Sequence, residues 1–153
     1  MTLTLVKLMS AEADIYLLDT NILLDMMRNP EGRAAGRFIE VAAKNPDARL
    51  CTSVVVQCEL LFGIRRCTHP RWQTHYERVL ESVTVLVLDG EVCTPYAALR
   101  TQLEALGQPI GPNDALIAAQ ALAVNATLVS ADAEFLRVPG LRVENWLAAE
   151  ITS

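Results

Sequence analysis

The chain has 153 residues, 52% hydrophobic and 20% charged, with 7 Gly and 7 Pro. That is about one domain's worth of chain with enough apolar residues for its own core, and it excludes disordered, collagen-like and linker-dominated architectures. The formal net charge of −5 argues against a non-specific duplex binder, but not against a nucleic-acid enzyme whose metal ions supply positive charge.

Residues 1–14 show no clear period and read as an N-terminal extension. Ile15–Leu18 is a short continuous apolar run ended by Asp19, which reads as a buried strand. Thr20 is placed to cap a helix running to about residue 28, where Asn29-Pro30 stops it. A second helix is expected over residues 31–44 and a strand over 49–52. Ser53 then caps a helix to about residue 66, and residues 70–81 form another. Residues 83–88 are apolar or β-branched throughout and predict a strand. Asp89 is expected to cap one long helix to residue 106, ended by Gly107. Pro112 opens an alanine-rich helix to about 124. A strand over 126–129, a helical turn capped by Asp132 and a last strand over 141–143 complete the order. Short strands alternating with longer helices predict one α/β domain over residues 15–147, with a mostly parallel sheet and a tail at 148–153.

No apolar run approaches the ~20 residues of a membrane helix, and the start of the chain is a poor signal peptide. A soluble, cytoplasmic protein with no membrane association is expected. The four cysteines, at 51, 58, 67 and 93, have no CxxC spacing, and His69 and His75 lie in a different stretch. They read as small buried hydrophobes rather than a zinc or redox site.

P-loop, dinucleotide-binding and GxSxG motifs are absent. What the chain offers is acid at the carboxyl ends of its strands, where open α/β sheets bind ligands. Asp19 follows the first strand and Asp132 follows the strand over 126–129. Asp114 is in the first turn of the helix opened by Pro112. Glu59 lies about two turns into its helix, but helical side chains lean toward the N-terminus and reach the same rim. Two unit charges ~5 Å apart repel by about 3 kcal/mol at an effective dielectric of 20. Such a cluster persists by protonating or by holding a cation, and an oxygen-only donor set suits Mg²⁺ or Mn²⁺. Spacing alone leaves open that these acids merely cap helices, and it does not separate Asp19 from Asp89.

Four stretches resemble the motifs of the PIN-domain nucleases, in order. Residues 16–23 read Tyr-Leu-Leu-Asp-Thr-Asn-Ile-Leu. Ser53, Glu59, Leu60 and Gly63 are similar to the second motif, and residues 111–119, Gly-Pro-Asn-Asp-Ala-Leu-Ile-Ala-Ala, to the third. Residues 128–135, Leu-Val-Ser-Ala-Asp-Ala-Glu-Phe, resemble the fourth, with Ser130 where the family usually carries Thr. Residues 138–146 resemble the end of the VapC-like toxins within that family.

The resemblance implies a three-layer α/β/α sandwich with a short, mostly parallel sheet. It makes Asp19, Glu59, Asp114 and Asp132 an acidic quartet, with Asp19, Asp114 and Glu59 holding Mg²⁺ or Mn²⁺ and Asp132 completing the site. Thr20, Asn21, Asn113 and Ser130 support it, and Asp89 becomes only a cap. The implied activity is metal-dependent endoribonuclease, through water activated for attack on the phosphodiester. The implied partners are RNA, a cognate antitoxin and a second copy of the chain in a homodimer. Arginine outnumbers lysine eleven to two, and Arg65 and Arg66 are the densest candidates for RNA backbone contact. Two other classes compete. A phosphatase using Asp19 as nucleophile wants a second Asp at 21, where the chain has Asn21. A receiver-like or adaptor module wants a lysine near a late strand, and the lysines are Lys7 and Lys44.

Overall fold

The computed structural model describes residues 13–149. Most of the expected N-terminal extension, and residues 150–153 of the tail, lie outside the described residues. The strands are β1 (Ile15–Leu18), β2 (Arg49–Ser53), β3 (Thr84–Leu86), β4 (Thr127–Val129) and β5 (Arg142–Glu144). They form one sheet in the order β3-β2-β1-β4-β5, and every pairing is parallel. Leu17 at the centre pairs with Cys51 on one side and Leu128 on the other. All three are fully buried, as expected of a parallel sheet covered on both faces.

Six α-helices flank the sheet among the described residues: α1 (Thr20–Arg28), α2 (Arg33–Lys44), α3 (Val54–Arg65), α4 (Arg71–Glu81), α5 (Cys93–Ala105) and α6 (Pro112–Ala123). From β1 the chain steps outward to β2 and β3, then returns to lay β4 on the other side of β1. With right-handed crossovers, the reversal puts α1 to α4 on one face and α5 and α6 on the other. The packing agrees, since α1 lies against α2, α3 and α4, and α5 lies against α6. The small side chains of α6, with Ala115, Ala118, Ala119 and Ala121 all fully buried, let that helix sit close to its neighbours. The expected three-layer architecture is present.

Several local expectations are corrected. Asp19, not Thr20, is the N-cap of α1: its side chain accepts from the Thr20 N–H and its backbone is extended. Thr20 is the first helical residue, so its hydroxyl is free for another partner. The helix expected from residue 31 starts at Arg33 after Gly32. The strand expected over 83–88 is only Thr84–Leu86. As the sheet's edge strand it pairs with β2 alone, and the carbonyls of Leu86 and Val87 instead accept from the Gln120 amide at 3.3 and 3.0 Å. Asp89 does cap, but it caps a 3₁₀ turn, Gly90–Val92, ahead of α5, so the expected single helix is two pieces. Gly107, at φ +66°, adopts the left-handed conformation that follows the end of α5. Of the four cysteines, Cys51 alone is buried, and Cys58, Cys67 and Cys93 are exposed.

Candidate active site

The reversal of strand order falls between β1 and β4, and ligands bind open α/β sheets in the crevice beyond such a switch point. Asp19 sits there. Its N–H continues the ladder to the carbonyl of Val129 at 2.9 Å, and its side chain is 4% exposed. Oδ1 accepts from the Thr20 N–H at 2.8 Å, and Oδ2 accepts from the Ser130 hydroxyl at 2.7 Å and the Asn21 amide at 3.3 Å. A carboxylate offers about four acceptor positions, so one remains on Oδ1 for a ligand.

Asn21 locks the two strand ends together. Its Nδ2 also donates to Ser130 Oγ at 3.2 Å, and its Oδ1 accepts from the Ala131 N–H at 3.0 Å. Ser130 Oγ accepts in turn from the Asp132 N–H at 3.1 Å. Asp132 caps the 3₁₀ turn Ala133–Arg137 by accepting from the Glu134 N–H at 2.9 Å. On the other side, Glu59 reaches the rim from about one and a half turns into α3. The Thr20 hydroxyl donates to its Oε2, and Asn113 Nδ2 donates to its Oε1 at 3.4 Å. Asp114 enters from the first turn of α6.

The charges are not balanced by side-chain cations. Among the described residues, none of Asp19, Glu59, Asp114 and Asp132 is in a salt bridge. Burial raises the pKa of Asp19, the Ser130 and Thr20 donors oppose the rise, and the Glu59 and Asp132 charges add to it. Asp114 is pushed from 3.8 to about 6, by burial first and then by Asp19, Asp132, Glu59 and Glu134.

A family model described as PIN domain matches residues 16–141. The chain belongs to the PIN-domain family. Ribonuclease VapC2 of Rickettsia felis is 36% identical over 134 residues, which are 86% of this chain and 98% of that protein. The tRNA(fMet)-specific endonuclease VapC of Shigella flexneri is 31% identical over 133 residues, 86% of this chain and 97% of its own. Among solved structures, VapBC2 of Rickettsia felis bound to a DNA fragment from its promoter superposes with a TM-score of 0.80 at 32% identity, covering 86% of this chain and 98% of that one.

Within this PIN domain the carboxylates close enough to share one ion are Asp114, Asp132 and Glu134, each offering an oxygen within 4.8 Å of the others. Glu134 is the residue that sequence reasoning missed. It lies inside the fourth motif, two residues after Asp132, and the tight 3₁₀ turn brings it back to the rim. Asp19 and Glu59 adjoin this group and act on it through their charge. Arg137 reaches Glu134 at 4.0 Å, and Asp114 and Asp132 have no such partner among the described residues, so the all-oxygen donor set, its excess negative charge and the spare position on Asp19 fit a hard divalent cation. Arg65 and Arg66 are not part of the cluster. They end α3, roughly 9 Å along the helix axis from Glu59, with the Arg66 guanidinium over the Phe62 ring at 5.5 Å.

Proposed function

We infer that this chain is a metal-dependent endoribonuclease and the toxin of a VapBC-type toxin–antitoxin pair. One observation carries the reading: a carboxylate cluster at the switch point of a PIN fold in which, among the described residues, only Glu134 is in a salt bridge, with Arg137 at 4.0 Å. Bound there, a divalent ion lowers the pKa of water and offsets the charge of the phosphodiester, and the oxygen donors favour Mg²⁺ or Mn²⁺. Asp114, Asp132 and Glu134 are proposed to hold it together with Asp19, and Glu59 to join them.

The surrounding residues keep those carboxylates aimed. Thr20 and Asn113 orient Glu59. Ser130 and Asn21 hold Asp19, and the backbone N–H donors of Thr20 and Glu134 fix Asp19 and Asp132. Preorganised oxygens need little rearrangement when the phosphodiester reaches its transition state. The antitoxin restrains the enzyme, and the cytoplasm, where RNA and antitoxin are made, is its expected place. A homodimer would join the arginines of two copies into a broader basic surface, which sedimentation at tens of micromolar tests.

The phosphatase and regulatory readings are not favoured. Position 21 is an asparagine whose amide group donates to Ser130 and accepts from Ala131, a role an aspartate cannot fill. Lys44 ends α2 and binds Glu40 at 2.6 Å. The deciding experiment is cleavage of single-stranded RNA by the purified chain. It requires Mg²⁺ or Mn²⁺ and stops in EDTA; cleavage persisting in excess chelator overturns the metal reading.

A further inference from the structure

A cleft of about 200 Å³ opens directly off the carboxylate cluster, between α1 and α3. Thr20 and Glu59 form its inner mouth. Leu24 and Met27 follow at i+4 and i+7 along α1, and Gly63 lies at i+4 from Glu59, so each helix presents one face to the gap. Ile64 continues the α3 wall, and Trp72 of α4 closes the far end. The lining between the two ends is therefore apolar and aromatic.

The ends are oppositely charged. Glu59 stands at one. At the other, Arg28 lines the wall and the Arg71 guanidinium rests over the Trp72 indole, 5.0 Å from its centroid. Among the described residues neither of these arginines is in an ion pair. In a chain of net charge −5, those are two guanidinium groups without a carboxylate partner at the end of the cleft away from Glu59.

We propose that the α1–α3 cleft is a nucleobase subsite: it takes the unpaired base of a nucleotide flanking the scissile phosphodiester, and the arginines beyond it hold the adjoining phosphates. An apolar slot with an indole suits the flat face of a base, and guanidinium suits phosphate. An apolar protein segment could fill the slot but leaves the arginines without partners, which is why RNA is the favoured occupant. The proposal rests on the ribonuclease reading and sharpens it. Cleavage falls where a base can leave its stack, in loops and single strands.

Gly63→Leu separates the possibilities. A Cβ at Gly63 meets no atom within 4 Å, so the variant folds and fills the cleft. The chain has two tryptophans, and Trp146 is buried against Tyr16, so a Trp146→Phe background makes Trp72 the reporter. In EDTA, a short single-stranded RNA oligonucleotide quenches Trp72 emission saturably, and Gly63→Leu abolishes the quenching. With Mg²⁺, replacing one base beside the cleaved bond by an abasic ribose lowers kcat/KM of the parent about 5- to 150-fold, the range for a stacked base. Gly63→Leu cleaves intact and abasic RNA alike.

Absence of quenching, or quenching equal in Gly63→Leu, overturns the proposal. An apolar peptide that shifts Trp72 emission where RNA does not reassigns the cleft to a protein partner. Quenching that Gly63→Leu abolishes, without any metal-dependent cleavage, upholds base binding and removes the ribonuclease reading instead.

Discussion

The Ser130 hydroxyl donates to Oδ2 of Asp19 at 2.7 Å across 111 residues of sequence, and so ties the end of β4 to the end of β1. A hydroxyl has one proton and two lone pairs. Ser130 uses all three, because it also accepts from Asn21 and from the Asp132 N–H. One buried oxygen thereby sets the positions of two acids that come from different strands.

Removing it has a defined cost. Ser130→Ala leaves Asp19 without its shortest donor and the Asp132 N–H without its acceptor, which destabilises the fold by about 1–3 kcal/mol. RNA cleavage falls with it, because the Ser130 bond is the largest factor opposing the raised pKa of Asp19. Ser130→Thr keeps the hydroxyl, and in the resembling motif Thr is the usual residue. Urea denaturation and a cleavage assay on both variants check the pair. Equal losses in Ala and Thr would show that side-chain volume, not the hydroxyl, is what matters.

Thr20→Val preserves shape and removes the donor to Glu59. Asp19 still caps α1, so the melting temperature changes little. The Glu59 carboxylate loses its orientation, and kcat falls by about 10- to 100-fold, the scale of a small misplacement in an active site. Unaltered kcat would take Glu59 out of the working site.

The chain's own pattern made the frame of this site legible. A continuous apolar run ending in Asp19 marks a buried strand and a strand-end acid at once, and Pro112 marks the helix that carries Asp114. Glu134 was not legible, because no periodicity announces that a 3₁₀ turn will fold residue 134 back beside residue 132. The sequence leaves the cap of α1 ambiguous because Asp19 and Thr20 are both good caps and adjacent; the strand pairing of the Asp19 N–H decides between them. The length of β3 depends on its neighbours, as an edge strand extends only as far as β2 pairs with it. The exposure of Cys58 was readable after all. Val56 and Leu60 are buried on α3, while Cys58 and Phe62 lie on the opposite, exposed side.

Acidity acts on the fold through Asp114, whose pKa rises from 3.8 to about 6 in the metal-free protein. The folded state then binds the proton more tightly than the unfolded state between those values. Without metal, stability therefore falls as pH rises from 3.8 to about 6, and levels off above. Asp114 is partly solvated, and with screening the drop from this group is about 1–2 kcal/mol. Urea melts from pH 4 to 7 in EDTA measure it, with Asp114→Asn as the reference that lacks this contribution. A difference between the two proteins that does not change with pH would place Asp114 outside the repulsive cluster.

Metal reverses the balance, and the same variant shows it. At neutral pH in EDTA, Asp114→Asn removes a charge that Asp19, Asp132, Glu59 and Glu134 all oppose, so the variant is more stable than the parent by about 1–2 kcal/mol; two full charges at that spacing repel by about 3 kcal/mol, and solvent screens part of it. Adding Mg²⁺ or Mn²⁺ stabilises the parent by RT ln(1 + [L]/Kd), about 1.4 kcal/mol at ten times Kd. Asp114→Asn gains less, because a neutral amide replaces one of the three carboxylates whose oxygens lie within 4.8 Å of one another. Glu134→Gln behaves the same way if Glu134 shares the ion, although sequence reasoning left it out of the quartet. The two variants thus test separate corners of one site by thermal unfolding, independently of any RNA. If Glu134→Gln keeps the full metal response while Asp114→Asn loses it, the ion lies toward Asp19 and Glu59, and Glu134 is only a neighbouring charge. If both keep the full response, the cluster does not hold the ion, and the nuclease reading loses the observation that carries it.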